Sequence, residues 1–408
     1  MRRCVFSLIL AVGCGDTNGG GDGGSSTSAA GSSSDGGVTS GSSGDASTSG
    51  TTEVADGSSS SSSSSGTGGA GPAPYEDRGP YGVGLRTTTV PLGERTVGVT
   101  FWYPSEDAEG TTALADLVPA AQQGTLADLM EAAPPTCVRT TAEGTLDAPL
   151  ADGTFPVILY SHCQSCLGIS SSFVAERLAS HGSIVVGVTH TGGTLFDALD
   201  GNPAPLDGAF LAVRAADVSA VLDAVSTDSF AAASMDLTRV GMFGHSYGAT
   251  TTGLVLQDDD RFVAGVAIAA PIENPLLPGV STAAVAEPML YLLMQEDNSI
   301  QEIGNNLLRN NAAAMPGGSW LVELADAGHW SPSDLCGLVD DFMPGCGEDA
   351  RQTDGTEFTY LPAETGRSIS AAYVTAFFAL ELQGDADAEG WLDGAHPEET
   401  VTVTRTVP

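Results

Sequence analysis

Arg239 to Leu256 constrains the fold of this 408-residue chain more than any other stretch. Arg239-Val240-Gly241-Met242-Phe243 is a short apolar run of the buried-strand type, Gly244-His245-Ser246-Tyr247-Gly248 fits the pattern G-x-S-x-G, and Ala249 to Leu256 can open a helix. A serine set between glycines at a strand-to-helix junction has a steric meaning. The turn holds the serine backbone in a strained conformation, and the flanking glycines leave room for strand and helix to cross. Ser246 is therefore the candidate nucleophile. The alternation of elements continues on both sides. Thr96 to Tyr103, Phe155 to Tyr160, Ser183 to Val188, Phe262 to Ala269, Met289 to Met294 and Trp320 to Leu324 read as strands. Phe173 to Ser180, Gly208 to Val225, Ile300 to Ala313 and Ile369 to Leu382 read as helices, with Val218, Val221, Leu222 and Val225 at helical spacing. Strands alternating with helices predict an α/β fold: a mostly parallel central sheet with helices on both faces. Glu106 to Asp152 is too long for a simple connection and is expected over one end of the sheet, as surface packing or as part of the substrate contacts.

The N-terminal part cannot build a core. Arg2-Arg3, the apolar run Val5 to Val12 and then Gly13-Cys14 read as a signal peptide over residues 1–13, with Cys14 as a lipid-attachment site of the bacterial lipobox type, although Ala11 stands where leucine is usual. Residues 14–74 are almost wholly Ser, Gly, Thr, Asp and Ala and read as a disordered tether. Residues 75–408 then form the folded domain. The expected location is outside the cytoplasm, anchored by lipid to a membrane or cell surface or else secreted, with the membrane touched only through that anchor.

Charge narrows the partners. The chain carries 51 acidic against 14 basic residues, for a net charge of −37, and every basic residue is arginine. Such a surface repels phosphates and excludes nucleic acid as a partner. It suits a salty habitat, where counter-ions screen the self-repulsion.

A serine hydroxyl attacks only if a histidine takes its proton and an acid orients that histidine. His329, in Asp326-Ala327-Gly328-His329-Trp330 just past a strand, is the candidate base; His396, in a tail beyond the last helix, is the weaker one. Asp297, in the polar loop Gln295-Glu296-Asp297-Asn298 directly after Met294, is the favoured acid, with Glu296 and Glu273 as alternatives. The oxyanion that forms on attack needs two backbone N–H donors. Tyr247 supplies one; Gln164, or Cys163 beside it, is expected to supply the other. His162 and His245 are read as packing or bonding to neighbouring loops; His190 could line the cleft and His181 ends a helix, and neither is given a role. Arg214 and Asp217, three apart on one helix, read as an intrahelical ion pair. Asp258-Asp259-Asp260 and Asp385-x-Asp387-x-Glu389 lack the full ligand spacing of a calcium loop and read as solvated turns. No metal or other cofactor is called for.

Five cysteines fall in the folded part. Cys336 and Cys346 bracket a loop containing Pro344 and Gly345 and are the expected disulfide, which leaves one thiol over among Cys137, Cys163 and Cys166. Cys163-x-x-Cys166 has no second pair to complete a zinc site.

With these residues placed, the body from Tyr81 to Leu382 resembles the α/β-hydrolase superfamily, and is most similar to exported bacterial members grouped with platelet-activating-factor acetylhydrolase, dienelactone hydrolase and the cutinase-like polyesterases. The resemblance is carried by Val99 to Pro104, Pro156 to His162, Gly244 to Gly248, Pro288 through Asp297, and Leu321 through His329. It implies a monomeric enzyme that cleaves small-molecule, lipid or polymer carboxylic esters through an acyl-enzyme. Two departures stand out. Cys163 takes the place where those families usually have glycine, and Ala269-Ala270-Pro271 offers no acid where the acetylhydrolases carry theirs, which favours Asp297. A serine peptidase of related fold, and a non-catalytic surface lipoprotein keeping the fold for binding, are the rival readings.

Overall fold

The computed structural model describes residues 75–106, 108–395 and 400–408. The signal and tether of residues 1–74, Cys14 among them, and His396 lie outside the described residues. Ten strands join in one sheet: β1 (Gly82–Leu92), β2 (Arg95–Ser105), β3 (Thr145–Leu146), β4 (Phe155–Ser161), β5 (Ile184–Thr189), β6 (Met235–His245), β7 (Phe262–Ile268), β8 (Met289–Met294), β9 (Ser319–Leu324) and β10 (Val401–Thr406). Their spatial order is β10-β9-β8-β7-β6-β4-β5-β2-β1-β3. From β9 to β5 every neighbouring pair is parallel; β2 and β10 join the two ends of that block antiparallel.

The helices are α1 (Ala120–Ala132), α2 (Ser172–Ser180), α3 (Leu195–Leu199), α4 (Gly208–Asp228), α5 (Tyr247–Asp258), α6 (Gln301–Ala313) and α7 (Ala363–Gln383). The central strands are apolar at nearly every position because both faces are covered. Along β4, Ile158 and Tyr160 pack into one core with Val174 and Leu178 of α2 and Phe377 and Phe378 of α7. Val157 and Leu159, pointing the other way, pack with Leu211, Val218 and Val221 of α4 and Val255 of α5. Side chains alternate across a strand, so a single run of apolar residues serves both cores.

Order along the sheet positions the site. The chain leaves β4 for β5 on one side, then returns through α4 to β6 on the other side of β4. The loops at the carboxyl ends of β4 and β6 therefore diverge, and the crevice between them is the topological switch point at which open α/β sheets bind ligands.

The long insertion is fastened to the loop that follows β9. Cys137 is bonded to Cys346, the Arg139 N–H donates to the Asp334 carbonyl (3.0 Å), and Arg367 Nη1 donates to the Cys137 carbonyl (2.8 Å). This corrects the expected Cys336–Cys346 disulfide: the bridges are Cys137–Cys346 and Cys163–Cys166, and Cys336 is a buried free thiol. The reason lies at Gly337, whose left-handed backbone (φ 78°) turns the chain after Cys336 and whose missing side chain leaves a gap. A Cβ there would stand 3.4 Å from Cys346 Sγ and 3.1 Å from Cys137 Cβ, so the bridge passes over Gly337 and Cys336 points into the core.

Candidate active site

The elbow is built by crowding. Ser246, between β6 and α5, has φ 57° and ψ −119°, a conformation that costs an L-residue on the order of 1–3 kcal/mol. Its N–H is pinned to the Ile268 carbonyl at the end of β7 (2.8 Å). A Cβ on Gly244 would stand 2.0 Å from the Gly248 carbonyl oxygen, and one on Gly248 only 1.9 Å from that of Ser161, so neither position accepts any other residue. The strain lifts the serine to the head of α5, where the N–H of Tyr247 belongs to the first turn and has no partner within the helix. The positive end of the helix dipole lies at the same point.

The acid loop after β8 and the histidine loop after β9 meet beside it. Asp297 is fully buried; its Oδ1 accepts the N–H groups of Ser299 and Ile300 (3.0 Å each) and its Oδ2 accepts Nδ1–H of His329 (2.7 Å). Three donors on one carboxylate hold it in a single orientation. The alternatives are engaged elsewhere: Glu296 pairs with Arg351 (2.8 Å) and takes the Gln352 N–H, while Glu273 takes the N–H and hydroxyl of Thr282. His245, next to the serine, donates from Nε2 to the His329 carbonyl (2.8 Å), which ties the elbow to the histidine loop. Burial, with the nearby His329 adding to it, pushes His245 down to about 3, so it stays neutral. Trp330, stacked on Phe342 at 3.8 Å, meets both His245 and His329 edge-on at 5.4 Å. Among the described residues neither Ser246 Oγ nor His329 Nε2 has a hydrogen-bond partner; such links commonly close only around a bound substrate.

Gln164 and Cys163 lie in the loop after β4, whose Ser161 is in register with Gly244 of β6. The Cys163–Cys166 disulfide encloses Gln164 and Ser165, with Ser165 in the left-handed region (φ 58°). Where the resemblance expects a flexible glycine, the chain has half of a small ring. The Gln164 side chain is turned away to the Ala204 carbonyl (2.8 Å), and the Ser165 N–H goes to the Gly193 carbonyl (3.0 Å). The backbone N–H of Gln164 has no acceptor among the described residues.

Beneath this loop lies a polar cluster that sequence reasoning missed. His190 bonds Ser161 Oγ through Nε2 (2.9 Å) and Asp217 Oδ2 through Nδ1 (3.1 Å), and Asp217 is also paired with Arg95. Arg214 does not pair with Asp217 as the three-residue spacing suggests. It turns instead to Ser161 Oγ (3.0 Å), the His162 carbonyl and Thr251 Oγ1 (3.3 Å). The signal was present in the sequence: Arg214 stands on the apolar stripe formed by Leu211, Val218 and Val221, a core position for a cation. Ser161, His190 and Asp217 have the bond order of a catalytic triad and are 0%, 0% and 1% exposed; Ser246, His329 and Asp297 are buried too, and what differs is that Ser161 belongs to a regular strand and its Oγ already takes a bond from Arg214.

Among the described residues no group of three or more His, Cys, Asp or Glu side chains could hold a metal ion, and no helix is long and apolar enough to cross a membrane. Asp259 is bound by Arg261, and Asp385 by the Tyr75 hydroxyl.

No protein-family model matches the chain, and no curated protein matches it. A solved structure that does match is a ferulic acid esterase from Streptomyces cinnamoneus, with a TM-score of 0.58 and 21% identity over 81% of this chain and 98% of that one. At that identity the likeness is one of fold, and with the sheet order described above it gives this chain the α/β-hydrolase fold.

Proposed function

We propose that this chain is an exported serine hydrolase of carboxylic esters, with Ser246 as nucleophile, His329 as proton shuttle, Asp297 as its orienting acid, and the backbone N–H groups of Tyr247 and Gln164 as oxyanion donors. The observation that carries the reading is the buried Asp297–His329 bond beside a serine in strained backbone at the switch point of the sheet. Because Asp297 accepts from Nδ1, the neutral imidazole keeps its proton there and leaves the Nε2 lone pair free for the serine. Ser246 Oγ attacks the ester carbonyl as Nε2 takes its proton. The oxyanion rests on the two N–H groups, and the leaving alcohol carries the proton off. Water then repeats the sequence on the acyl-enzyme.

An ester rather than a peptide bond is favoured by the fold likeness to a ferulic acid esterase. Two disulfides agree with a compartment outside the cytoplasm, where lipid attachment at Cys14 would hold the enzyme to a surface. The decisive experiment is labelling with a fluorophosphonate probe, followed by rates on p-nitrophenyl esters, methyl ferulate and peptide substrates. Label at Ser246 that disappears in Ser246→Ala, with ester turnover, supports the reading. An unlabelled protein ends it in favour of a binding lipoprotein, and label that survives Ser246→Ala ends the assignment of Ser246 as nucleophile.

A further inference from the structure

We infer that Arg214 and the His162 side chain are positioning residues that hold the oxyanion loop with its amides turned toward the reacting carbonyl. The inference rests on the ester-hydrolase reading and adds a part to its machinery. A peptide unit in a loop can rotate by compensating changes in two dihedrals, and if it does so here the donor of Gln164 is replaced by a carbonyl. Something must fix the carbonyls of this loop, and two consecutive ones are fixed by side chains. The His162 carbonyl accepts Nη2–H of Arg214, and the Cys163 carbonyl accepts Nδ1–H of His162 (2.6 Å). In a trans peptide the C=O and N–H point in opposite directions. Binding the Cys163 carbonyl to the imidazole therefore sends the Gln164 N–H the other way, and binding the His162 carbonyl to the buried guanidinium does the same for the N–H of Cys163.

The tautomer is fixed as well. The His190 N–H donates to Nε2 of His162 (3.0 Å), so the proton of the neutral ring must be on Nδ1, where the loop needs a donor. His162 is fully buried, and desolvation together with the neighbouring Arg214 and His190 keeps it uncharged.

Arg214 reaches both halves of the oxyanion hole. Besides its contacts to Ser161 and His162, it donates to Thr251 Oγ1, whose hydroxyl donates in turn to the Tyr247 carbonyl (2.9 Å), and its guanidinium lies 4.6 Å from the centre of the Tyr247 ring. One side chain thus ties the loop that carries Gln164 to the helix turn that carries Tyr247. It is entirely buried and touches no carboxylate, an expensive placement for a cation that a merely structural position would fill with a hydrophobe.

The test compares Arg214→Met, Arg214→Lys, His162→Ala and His162→Asn in the full chain, by p-nitrophenyl butyrate kinetics, thermal unfolding and fluorophosphonate labelling. Arg214→Met and His162→Ala should lower kcat by roughly 100-fold, the loss typical of one missing oxyanion donor, with KM moved by no more than about threefold. His162→Asn, whose amide N–H can stand where Nδ1 stands, should recover most of that loss, and Arg214→Lys part of its own. Folded Arg214→Met or His162→Ala with kcat unchanged overturns the inference. If Arg214→Met does not fold, the His162 pair decides: equal losses in His162→Ala and His162→Asn overturn it. Wild type labelled at Ser246 together with unaffected variants refutes the positioning role alone, whereas an unlabelled wild type refutes the ester-hydrolase reading from which it starts.

Discussion

Replacing Asp297 by asparagine tests the candidate triad with almost no change of shape. The outcome depends on which way the new amide faces. Oδ1 of Asp297 accepts two backbone N–H groups, from Ser299 and Ile300, each at 3.0 Å. An amide nitrogen there would set a donor against two donors and leave buried groups unpaired, at a cost of about 1–3 kcal/mol for each. The asparagine oxygen therefore stays on the two N–H groups and its NH2 faces His329 at the present 2.7 Å contact. His329 can accept that donor only by moving its proton from Nδ1 to Nε2, which removes the lone pair that should take the serine proton. The expected loss is ~10⁴-fold in kcat, or about 5.4 kcal/mol of transition-state stabilisation, with KM and the thermal midpoint little changed. Steady-state hydrolysis of p-nitrophenyl butyrate reads it, with Glu296→Gln and Glu273→Gln as controls that should stay within a few-fold of wild type. A folded Asp297→Asn enzyme that keeps a tenth or more of its activity, or a control that falls as far, would refute the assignment of the acid.

Acid should unfold this protein early. His162 and His190 are held well below 6.5 by burial and by Arg214, and His245 is pushed down to about 3 by burial. The unfolded chain protonates these rings near 6.5 while the folded one does not, so their contribution is complete above pH 6.5 and is lost as the pH falls below it. Each such proton is worth about 1.4 kcal/mol per pH unit. Glu176, raised to about 7 by burial against the pull of Arg139, works the other way in the same window, as do Asp217 and Glu381, both raised by burial, while His181, lowered by burial, adds to the histidines. Urea unfolding at pH 7, 6 and 5 measures the net slope, and a flat profile contradicts neutral buried histidines. The Cys137–Cys346 bridge spans 209 residues, and its chain-entropy contribution is about 5 kcal/mol, against roughly 2 kcal/mol for the four-residue ring at Cys163–Cys166. Replacing both cysteines of the long bridge by serine should lower the thermal midpoint far more than replacing both of the short one, and equal losses contradict the assigned pairing. Cys336, buried and raised to about 12, should resist iodoacetamide in the folded protein and react after unfolding, as peptide mapping would show. Screening of the −37 net charge should raise the unfolding midpoint as sodium chloride is added at pH 7; indifference to salt would remove self-repulsion as a factor.

The central strands and their helices were legible because a strand buried on both faces leaves an uninterrupted apolar run, as Met289–Met294 shows. The edges were not. β1 carries Thr87, Thr88 and Thr89 toward solvent, β10 reads Val-Thr-Val-Thr with its side chains largely exposed, and α1 buries only Leu126 and Met130. Elements that bury little leave little pattern in the sequence. At the site, residues next to strand ends could be placed by position alone, which is how Ser246, Asp297 and His329 were chosen. Contacts between distant segments could not. Cys137 meets Cys346, and Arg214 passes over the nearby Asp217 for His162, because packing of α4 against β4 and of the insertion against the loop after β9 decides those partners, and chain spacing carries no record of it. His190, which by its place in the sequence could line the cleft, closes a buried chain of hydrogen bonds instead. Its neighbours in the sequence, Thr189 and Thr191, take no part in that chain.

The buried Ser161–His190–Asp217 chain bears on how active sites are searched for. The buried chain and the proposed Ser246–His329–Asp297 set offer the same three residue types in series. Ranked by closed hydrogen bonds, the buried chain comes first: its links are complete at 2.9 and 3.1 Å, while Ser246 has no bond to His329. What sets the proposed triad apart is a strained serine backbone and a histidine Nε2 with no hydrogen-bond partner among the described residues, both of which make a site look less finished. On the proposed reading the better-bonded triad is scaffolding, and a completed set of hydrogen bonds marks a serine that is already satisfied.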